Sequence, residues 1–463
     1  MPLSKSPAPP SNTHLTHYKT LGLLLTLYLA QGLPAGFITQ ALPAILREYN
    51  VSLVAIGWSG LILVPWGLKF LWATVVDGYY SQKIGRAKSW ILPMQGLSIV
   101  ILIAVAFFEP HNLAQTRSVM TLYGMLFTLS LIGATHDVAT DGLATRLLKV
   151  AIAPKEPLTH DMPAPDSVTQ TTNHHHRQSQ GNAVQVIGYR LGLIVGGGVL
   201  LMLLEQWGWR NSFLAMAALV AMNTVPIVFF KEHTHTSVIP AKKQVQAAKS
   251  GSLKALKTYL SHHYQYFWSS REMRAWLGVL LTFKIADGIS SGMVKPMMVD
   301  VGLNLQQIGF WATILGSAAS VAGAGVATIL MKRLTRFRSL LYFNLAQALT
   351  TGLYGLVAYG FYHQLLTDFL WLYVVNALEH FCASLALIAM LTTIMHYSRP
   401  ANAGSDFTVQ VCLLTVLGGS AHFASGYMAH FLGYQWHFWV SMLIGFVCLA
   451  PIIYWHKLQN NEK

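Results

Sequence analysis

The chain has 463 residues, 53% hydrophobic and 10% charged, where soluble domains carry about 25% charged residues. So little charge cannot clothe a soluble enzyme of this length, and the composition also excludes a disulfide scaffold, a disordered tail and a coiled coil. The excess of Lys+Arg (31) over Asp+Glu (17), a net charge of +14, would suit nucleic acid, but its placement along the chain assigns it to membrane topology and makes nucleic acid an unsuitable partner.

About twelve spans of ~20 residues would occupy roughly 240 residues. Apolar runs begin near Leu21, Leu53, Trp90, Val119, Asn182, Ser212, Trp276, Ile308, Leu340, Phe369, Val409 and Phe438. With the N-terminus placed in the cytoplasm, most Lys and Arg fall on the inner side. Only Arg47, Arg117 and Arg210 fall outside, and Lys69, Arg190, Lys284 and Lys295 lie within spans. That asymmetry is the positive-inside pattern, and it places both termini in the cytoplasm. The first apolar run lacks a small-residue cleavage site and reads as a retained span. Cys382, Cys412 and Cys448 all sit in apolar runs, as buried thiols without a disulfide framework.

The expected fold is therefore all-α and integral to the membrane, about twelve transmembrane helices in two pseudo-symmetric six-helix halves. A cytoplasmic tail (1–19) precedes the first bundle (20–230), which carries a flexible cytoplasmic insertion (147–180). A cytoplasmic linker (231–271) leads to the second bundle (272–456) and a short tail (457–463). Internal similarity supports the halves. Leu53-Val54-Ala55-Ile56-Gly57-Trp58 resembles Leu305-Gln306-Gln307-Ile308-Gly309-Phe310, and Gly208-Trp209-Arg210 with Phe213 resembles Gly433-Tyr434-Gln435 with Phe438. The insertion absorbs the difference between the two offsets. Parallel repeats of this kind build secondary transporters.

The insertion holds Pro154, Pro157, Pro163, Pro165 and the run His174-His175-His176. It reads as a solvated loop, with weak metal buffering by the His run as the alternative. In the linker, 253–266 can form an interfacial helix with Lys254 and Lys257 facing anionic lipid. Gly196-Gly197-Gly198, inside an apolar run with no preceding strand, suits close helix packing and not phosphate binding.

Several segments resemble a known family. Leu68-Lys69-Phe70-Leu71-Trp72, then Asp77, Gly85-Arg86 and Lys88, is similar to the loop between the second and third helices of the major facilitator superfamily. Here the gap between the Asp and Gly-Arg is wider than in the general pattern, and Ala73 stands at the usual Gly position. That departure resembles the branch of AmpG-type muropeptide permeases, acetyl-CoA transporters and RhtX/FptX-type siderophore permeases. Thr135-His136-Asp137-Val138-Ala139-Thr140-Asp141-Gly142-Leu143 and Gly188-Tyr189-Arg190-Leu191-Gly192 match the same branch. The opening from Leu29 to Phe37, with Gln40-Ala41-Leu42-Pro43, looks closest to the siderophore members. The likeness is dense over about residues 25–210 and thin beyond. It implies a major facilitator fold whose helices 1, 4, 7 and 10 line a central cavity.

An ionisable side chain at the bilayer centre costs at least ~2.5–3.5 kcal/mol, so it faces a cavity or a partner. Asp137 and Asp141 are four apart on one helix face, about 6 Å from each other, and should share a proton or a cation. At 1.5 Å per residue, Asp137 lies roughly 13 Å from Arg146, and Arg190 lies roughly 12 Å from Asn182. The matching depth makes Arg190 the expected partner of the acid pair, with protonation or an anionic substrate group competing for it. Gln31, Lys284, Asp287, Glu379 and His380 complete the candidate coupling and substrate set, since they share the cavity-lining helices. A buried, satisfied imidazole is the alternative for His380. Lys295 is expected near the outer interface, where it can snorkel. Asp77, Gly85, Arg86 and Lys88 form the expected cytoplasmic gate, a topology role for the two cations being the alternative.

The reading that follows is a proton-coupled secondary transporter of a bacterial inner membrane, monomeric, without cofactor or metal, and driven by the proton gradient. It imports a siderophore or ferric siderophore, with muropeptide uptake as the alternative substrate. A drug exporter is a further transport alternative. An intramembrane serine protease is the alternative from another class, because Gly57-Trp58-Ser59-Gly60 matches the Gly-x-Ser-Gly of rhomboid-type enzymes.

Overall fold

A computed structural model describes residues 12–113, 115–150, 184–232, 265–399 and 403–461. The His174–His176 run and the linker lysines Lys254 and Lys257 lie outside the described residues, as does most of the insertion. Among the described residues the chain is helical, with ten stretches long and apolar enough to cross a membrane. Two of these are each a pair of helices joined at a glycine. Gly208 (φ 70°, ψ 176°) interrupts Val184–Phe229, and Gly433 (φ 73°, ψ 165°) interrupts the stretch Asp406–Gln459. That backbone region is open almost only to glycine. The crossing helices are then α1 (Tyr18–Glu48), α2 (Leu53–Leu71), α3 (Lys88–Ala106), α4 (Thr116–Ala144), α5 (184–207), α6 (209–229), α7 (Arg271–Asp300), α8 (Leu305–Leu330), α9 (Arg336–Tyr362), α10 (Leu370–His396), α11 (406–432) and α12 (434–459).

The two glycines that break the paired helices are the two that head the second internal repeat. The first repeat pair also shares its local construction. Ser52 caps α2 by accepting from Ala55 N at 3.2 Å, and Asn304 caps α8 by accepting from Gln307 N at 2.8 Å. Both oxygens satisfy backbone donors that the first turn leaves unpaired. Each helix then departs from regular α geometry within a turn, α2 into a 3₁₀ stretch at Trp58–Leu63 and α8 into a π-helical stretch at Ile308–Ile314. Similar π turns occur in α1 at Phe37–Ala41 and in α5 at Ile194–Val199. Helix α7 is interrupted at Lys284 (φ −94°, ψ 2°).

Within the first six helices, α1 and α5 approach at backbone distance. A Cβ on Gly196 would lie 1.9 Å from Leu33 O, so only glycine permits this contact. The largest core cluster holds Phe37, Phe213 and Trp209, and the Trp209 indole donates to Val105 O at 2.7 Å. A second cluster centres on Trp276, which stacks on Tyr397 at 4.9 Å and donates to Gln410 Oε1 at 2.8 Å.

Two glycine-lined seams join the first six helices to the last six, beside the packing of α7 on the end of α1. On one, Gly57 and Gly60 of α2 face Gly426 and Gly419 of α11. On the other, Gly198 of α5 abuts Gly309 of α8, where an added Cβ would fall 2.8 Å from Gly309 O. The second seam lies toward the face opposite the termini, called here the far face.

Candidate functional site

Asp137 is buried (5% exposed) on α4. The Lys69 ammonium on α2 forms an ion pair with its Oδ2, and Gln31 Nε2 on α1 donates to Oδ1. One turn along, Asp141 accepts from Tyr28 OH at 2.8 Å and from Gln185 Nε2 at 3.3 Å. The acid pair shares a helix face, as its spacing implies, Gln31 joins it from α1, and the cation differs from the expected one. Arg190 forms no ion pair with either carboxylate among the described residues; Lys69 takes that place. Both cations lie at a depth comparable to Asp137. The rotation of α2 turns Lys69 toward the acids, while the packing of α5 on α1 through Gly192 and Gly32 leaves Arg190 half-buried elsewhere.

The second half builds a similar unit. Lys284 Nζ, at the break in α7, lies 2.7 Å from Asp287 Oδ2, and Gln347 Nε2 of α9 donates to Asp287 Oδ1 at 2.7 Å. Glu379 of α10 is within electrostatic reach of both Asp287 and Lys284. Each half therefore holds two carboxylates against one lysine near mid-membrane. His380 points its ring against Gly316 of α8, where a Cβ would lie 2.6 Å from Cδ2, and Ser320 Oγ donates to His380 O at 3.2 Å.

Lys295 is not at an interface. It is 8% exposed, and its Nζ donates to Gln40 Oε1 of α1 at 2.5 Å, a bond between helices of opposite halves. The interfacial position expected from its place in α7 is corrected by the packing of α7 against the far end of α1.

The loop between α2 and α3 is organised around a residue the sequence reading did not single out. Glu232, just past α6, accepts from Ala87 N at 3.0 Å and Lys88 N at 3.3 Å, and pairs with Arg146 at 3.2 Å. Its carboxylate neutralises the positive N-terminus of α3. Gly85 (φ 110°) permits this approach, because a Cβ there would lie 2.5 Å from Glu232 Oε2. Lys88 Nζ donates to Val228 O at 2.8 Å and Phe230 O at 3.0 Å, so it caps the C-terminus of α6 and is more than a topology charge. Arg86 lies 5.7 Å from the Tyr80 ring. Asp77 sits in the short helix Ala73–Gly78, and its side chain lies outside what the structure describes. These contacts bind α3, α4 and α6 to each other within the first half. Near the second half's terminal side, Arg399 Nε and Nη2 each contact Asp406 at 2.8 Å. Asp406 is fully buried. The carboxylate hydrogen bonds raise the Arg399 guanidinium above its ordinary range.

Contacts between the halves gather at the far face. Arg47 Nε at the end of α1 meets Asp300 Oδ1 at the end of α7 at 2.5 Å, and Tyr434 OH donates to Asp300 Oδ2 at 2.6 Å. Glu205 of α5 accepts from Gln306 N of α8 at 2.9 Å. Along the α2–α11 seam, Ser59 Oγ lies 3.1 Å from His422 Nε2. The serine of the Gly-x-Ser-Gly match thus does meet a histidine. It is 3% exposed with the glycines beside it packed on α11, which leaves no room for a substrate carbonyl at Ser59. Sequence alone could flag Lys69 as an intramembrane cation, whereas Glu232, Tyr28 and Gln347 carry no local pattern that would single them out.

Helices of this number and packing form a multi-pass helical fold of the major facilitator type. A family model described as acetyl-coenzyme A transporter 1 matches residues 20–153. The chain is 27% identical to the anhydromuropeptide permease of Escherichia coli (strain K12) over 401 residues, covering 85% of this chain and 71% of that protein. It is 21% identical to the putative transporter AmpG 4 of Rickettsia felis, covering 94% of this chain and 96% of that one. Among solved structures it superposes on a POT family transporter in complex with a thioalcohol-conjugated peptide, with a TM-score of 0.66, 12% identity, and coverage of 95% of this chain and 96% of that chain. Of the relatives named here, one is a muropeptide permease and none is named for a siderophore.

Proposed function

We propose that this chain is a proton-coupled permease for anhydromuropeptides or closely related sugar-peptides, working by alternating access in a bacterial inner membrane. The reading rests on the similarity over most of the chain to an anhydromuropeptide permease. The two carboxylate–lysine units near mid-membrane fit that role. Each holds more acid than base, Asp137 and Asp141 against Lys69, and Asp287 and Glu379 against Lys284. The surplus carboxyl in each unit is a place for a translocated proton, because two carboxylates that close in low dielectric do not both ionise.

In this scheme Asp77, Gly85, Arg86 and Lys88, with Glu232, hold the terminal-side ends of the first half, and Gln31 transmits the protonation state of Asp137 to α1. Proton uptake at one unit loosens its lysine, and the halves rock about the glycine seams to expose the solute to the other side. The test is uptake of radiolabelled anhydromuropeptide into proteoliposomes with an imposed proton gradient. Accumulation that collapses with a protonophore is the expected result. Accumulation unaffected by the protonophore would remove the coupling, and absence of uptake would remove the substrate.

A further inference from the structure

Helix α9 carries a polar stripe. Asn344, Gln347 and Thr351 are spaced i, i+3 and i+7, so they share one face of a membrane-crossing helix. Polar groups away from water are costly unless they are partnered, and this stripe is partnered only in part. Gln347 Nε2 donates to Asp287 Oδ1 at 2.7 Å, and Asn344 Nδ2 donates back to Leu340 O at 2.7 Å. Thr350 likewise returns its hydroxyl to Gln347 O at 2.9 Å. Thr351 is only 3% exposed, and its hydroxyl makes no hydrogen bond among the described residues.

The stripe borders a cavity of about 20 Å³ between α7, α9 and α12. Asp287, Asn344, Gln347 and Thr351 line it, with Phe283 and Leu449 in its apolar wall. Among the described residues, the first half contributes nothing to that wall. A buried water needs roughly 10–15 Å³ and two to four polar partners, and this cavity offers both. Asp287 also has acceptor capacity left. An ionised carboxylate has about four lone-pair sites, and Lys284 and Gln347 take one each.

We infer that this cavity binds an ordered water, which donates to the ionised Asp287 carboxylate and is held in turn by Thr351 and Asn344. The consequence for transport rests on the proton-coupling reading above: the water solvates the charged form of Asp287 and so sets how tightly the second unit holds its proton. Because the wall belongs to the second half, a solute held between the halves does not displace this water. The other titratable groups around Asp287 are Lys284 on α7, Glu379 and His380 on α10, His422 on α11, and His437 and Cys448 on α12. Helix α9 brings no charge to this level, so its polar stripe acts on Asp287 through hydrogen bonds.

The experiment is infrared difference spectroscopy of the full-length chain in nanodiscs across a pH step, in ordinary and heavy-oxygen water. In the wild type, a water O–H band that shifts with the oxygen isotope should accompany the Asp287 carboxyl band, which is identified by its loss in Asp287→Asn. Thr351→Val keeps the side-chain shape and removes the hydroxyl. The water band should vanish, and Asp287 should bind its proton about tenfold more tightly, since the charged form has lost a hydrogen bond. Thr351→Ser should restore both. Asn344→Leu is the second variant, with the same expected outcome if Thr351→Val does not fold. Absence of the water band in the wild type overturns the inference, as does its survival in both variants. Loss of the band with unchanged proton affinity overturns the link to Asp287. Solute uptake indifferent to a protonophore, with the band present and lost in the variants, removes the proton coupling and leaves the water site standing.

Discussion

Lys69 of α2 and Asp137 of α4 form the buried ion pair of the first half, with Gln31 of α1 completing the carboxylate's hydrogen bonding. Three helices thereby converge on one carboxylate near mid-membrane. The pair orients α2 and α4 with respect to each other and places Asp141, one turn away, against Tyr28.

Removing one member of this pair leaves the other buried and uncompensated. Lys69→Met and Asp137→Asn should each lower stability by about 3–5 kcal/mol, read as a drop in the melting temperature of the detergent-purified protein. The double variant should recover most of that loss and still fail to transport. Additive losses in the double variant would show that the two residues act independently.

Glu232 and Gly85 act through one contact. Glu232→Gln removes the charge facing the N-terminus of α3 and the partner of Arg146, at about 1–2 kcal/mol. Gly85→Ala drives a methyl into the same carboxylate and adds the strain of a non-glycine residue at positive φ. The combined variant should cost less than the sum of the two, as residues sharing a contact do. Chemical unfolding of the four proteins checks this.

At the far face, Arg47 and Asp300 are each about a quarter exposed (26% and 27%). A pair so placed contributes about 0.2–1 kcal/mol, enough to change a closed-to-open ratio by roughly 1.4- to fivefold. Spin labels at the exposed positions Glu48 and Asn304, which lie on opposite halves, report that ratio by distance distribution. Asp300→Asn should raise the longer-distance population. An unchanged distribution would assign closure to the other contacts between the halves, the glycine seams and the Glu205–Gln306 and Lys295–Gln40 hydrogen bonds.

The two helix-pair breaks at Gly208 and Gly433 occupy backbone conformations closed to other residues. Gly208→Ala and Gly433→Ala should each cost about 1–3 kcal/mol, although an added Cβ meets nothing within 4 Å at either site. Gly96, in the middle of α3 and equally unobstructed, is the control. Gly96→Ala should be neutral or stabilising by up to about 1 kcal/mol. Equal effects at all three positions would remove the backbone explanation.

Much of this was legible without coordinates. Low charge and periodic apolar runs are local properties of the chain, and they sufficed for a helical membrane protein. The similarity of Gly208-Trp209-Arg210 to Gly433-Tyr434-Gln435 marked two places where a helix reverses, because only glycine adopts the backbone needed there. The pairing of Asp137 and Asp141 on one face was equally readable, since residues four apart on a helix are neighbours and charges in lipid must face inward.

The choice of partners was not. Counting residues along a helix gives depth, and depth made Arg190 as good a partner for Asp137 as Lys69. Which cation faces the acid depends on the rotation of each helix about its own axis, and that is set by contacts such as Gly32 against Gly192 between segments far apart in sequence. The same reasoning misplaced Lys295, whose burial follows from the packing of α7 on α1, and overlooked Glu232, whose role exists only because the end of α6 returns to the start of α3. The sequence by itself determined that charges are sequestered inside a membrane bundle, because burial cost acts on each residue alone. Only the tertiary structure decided how those charges pair, because pairing is a relation between helices.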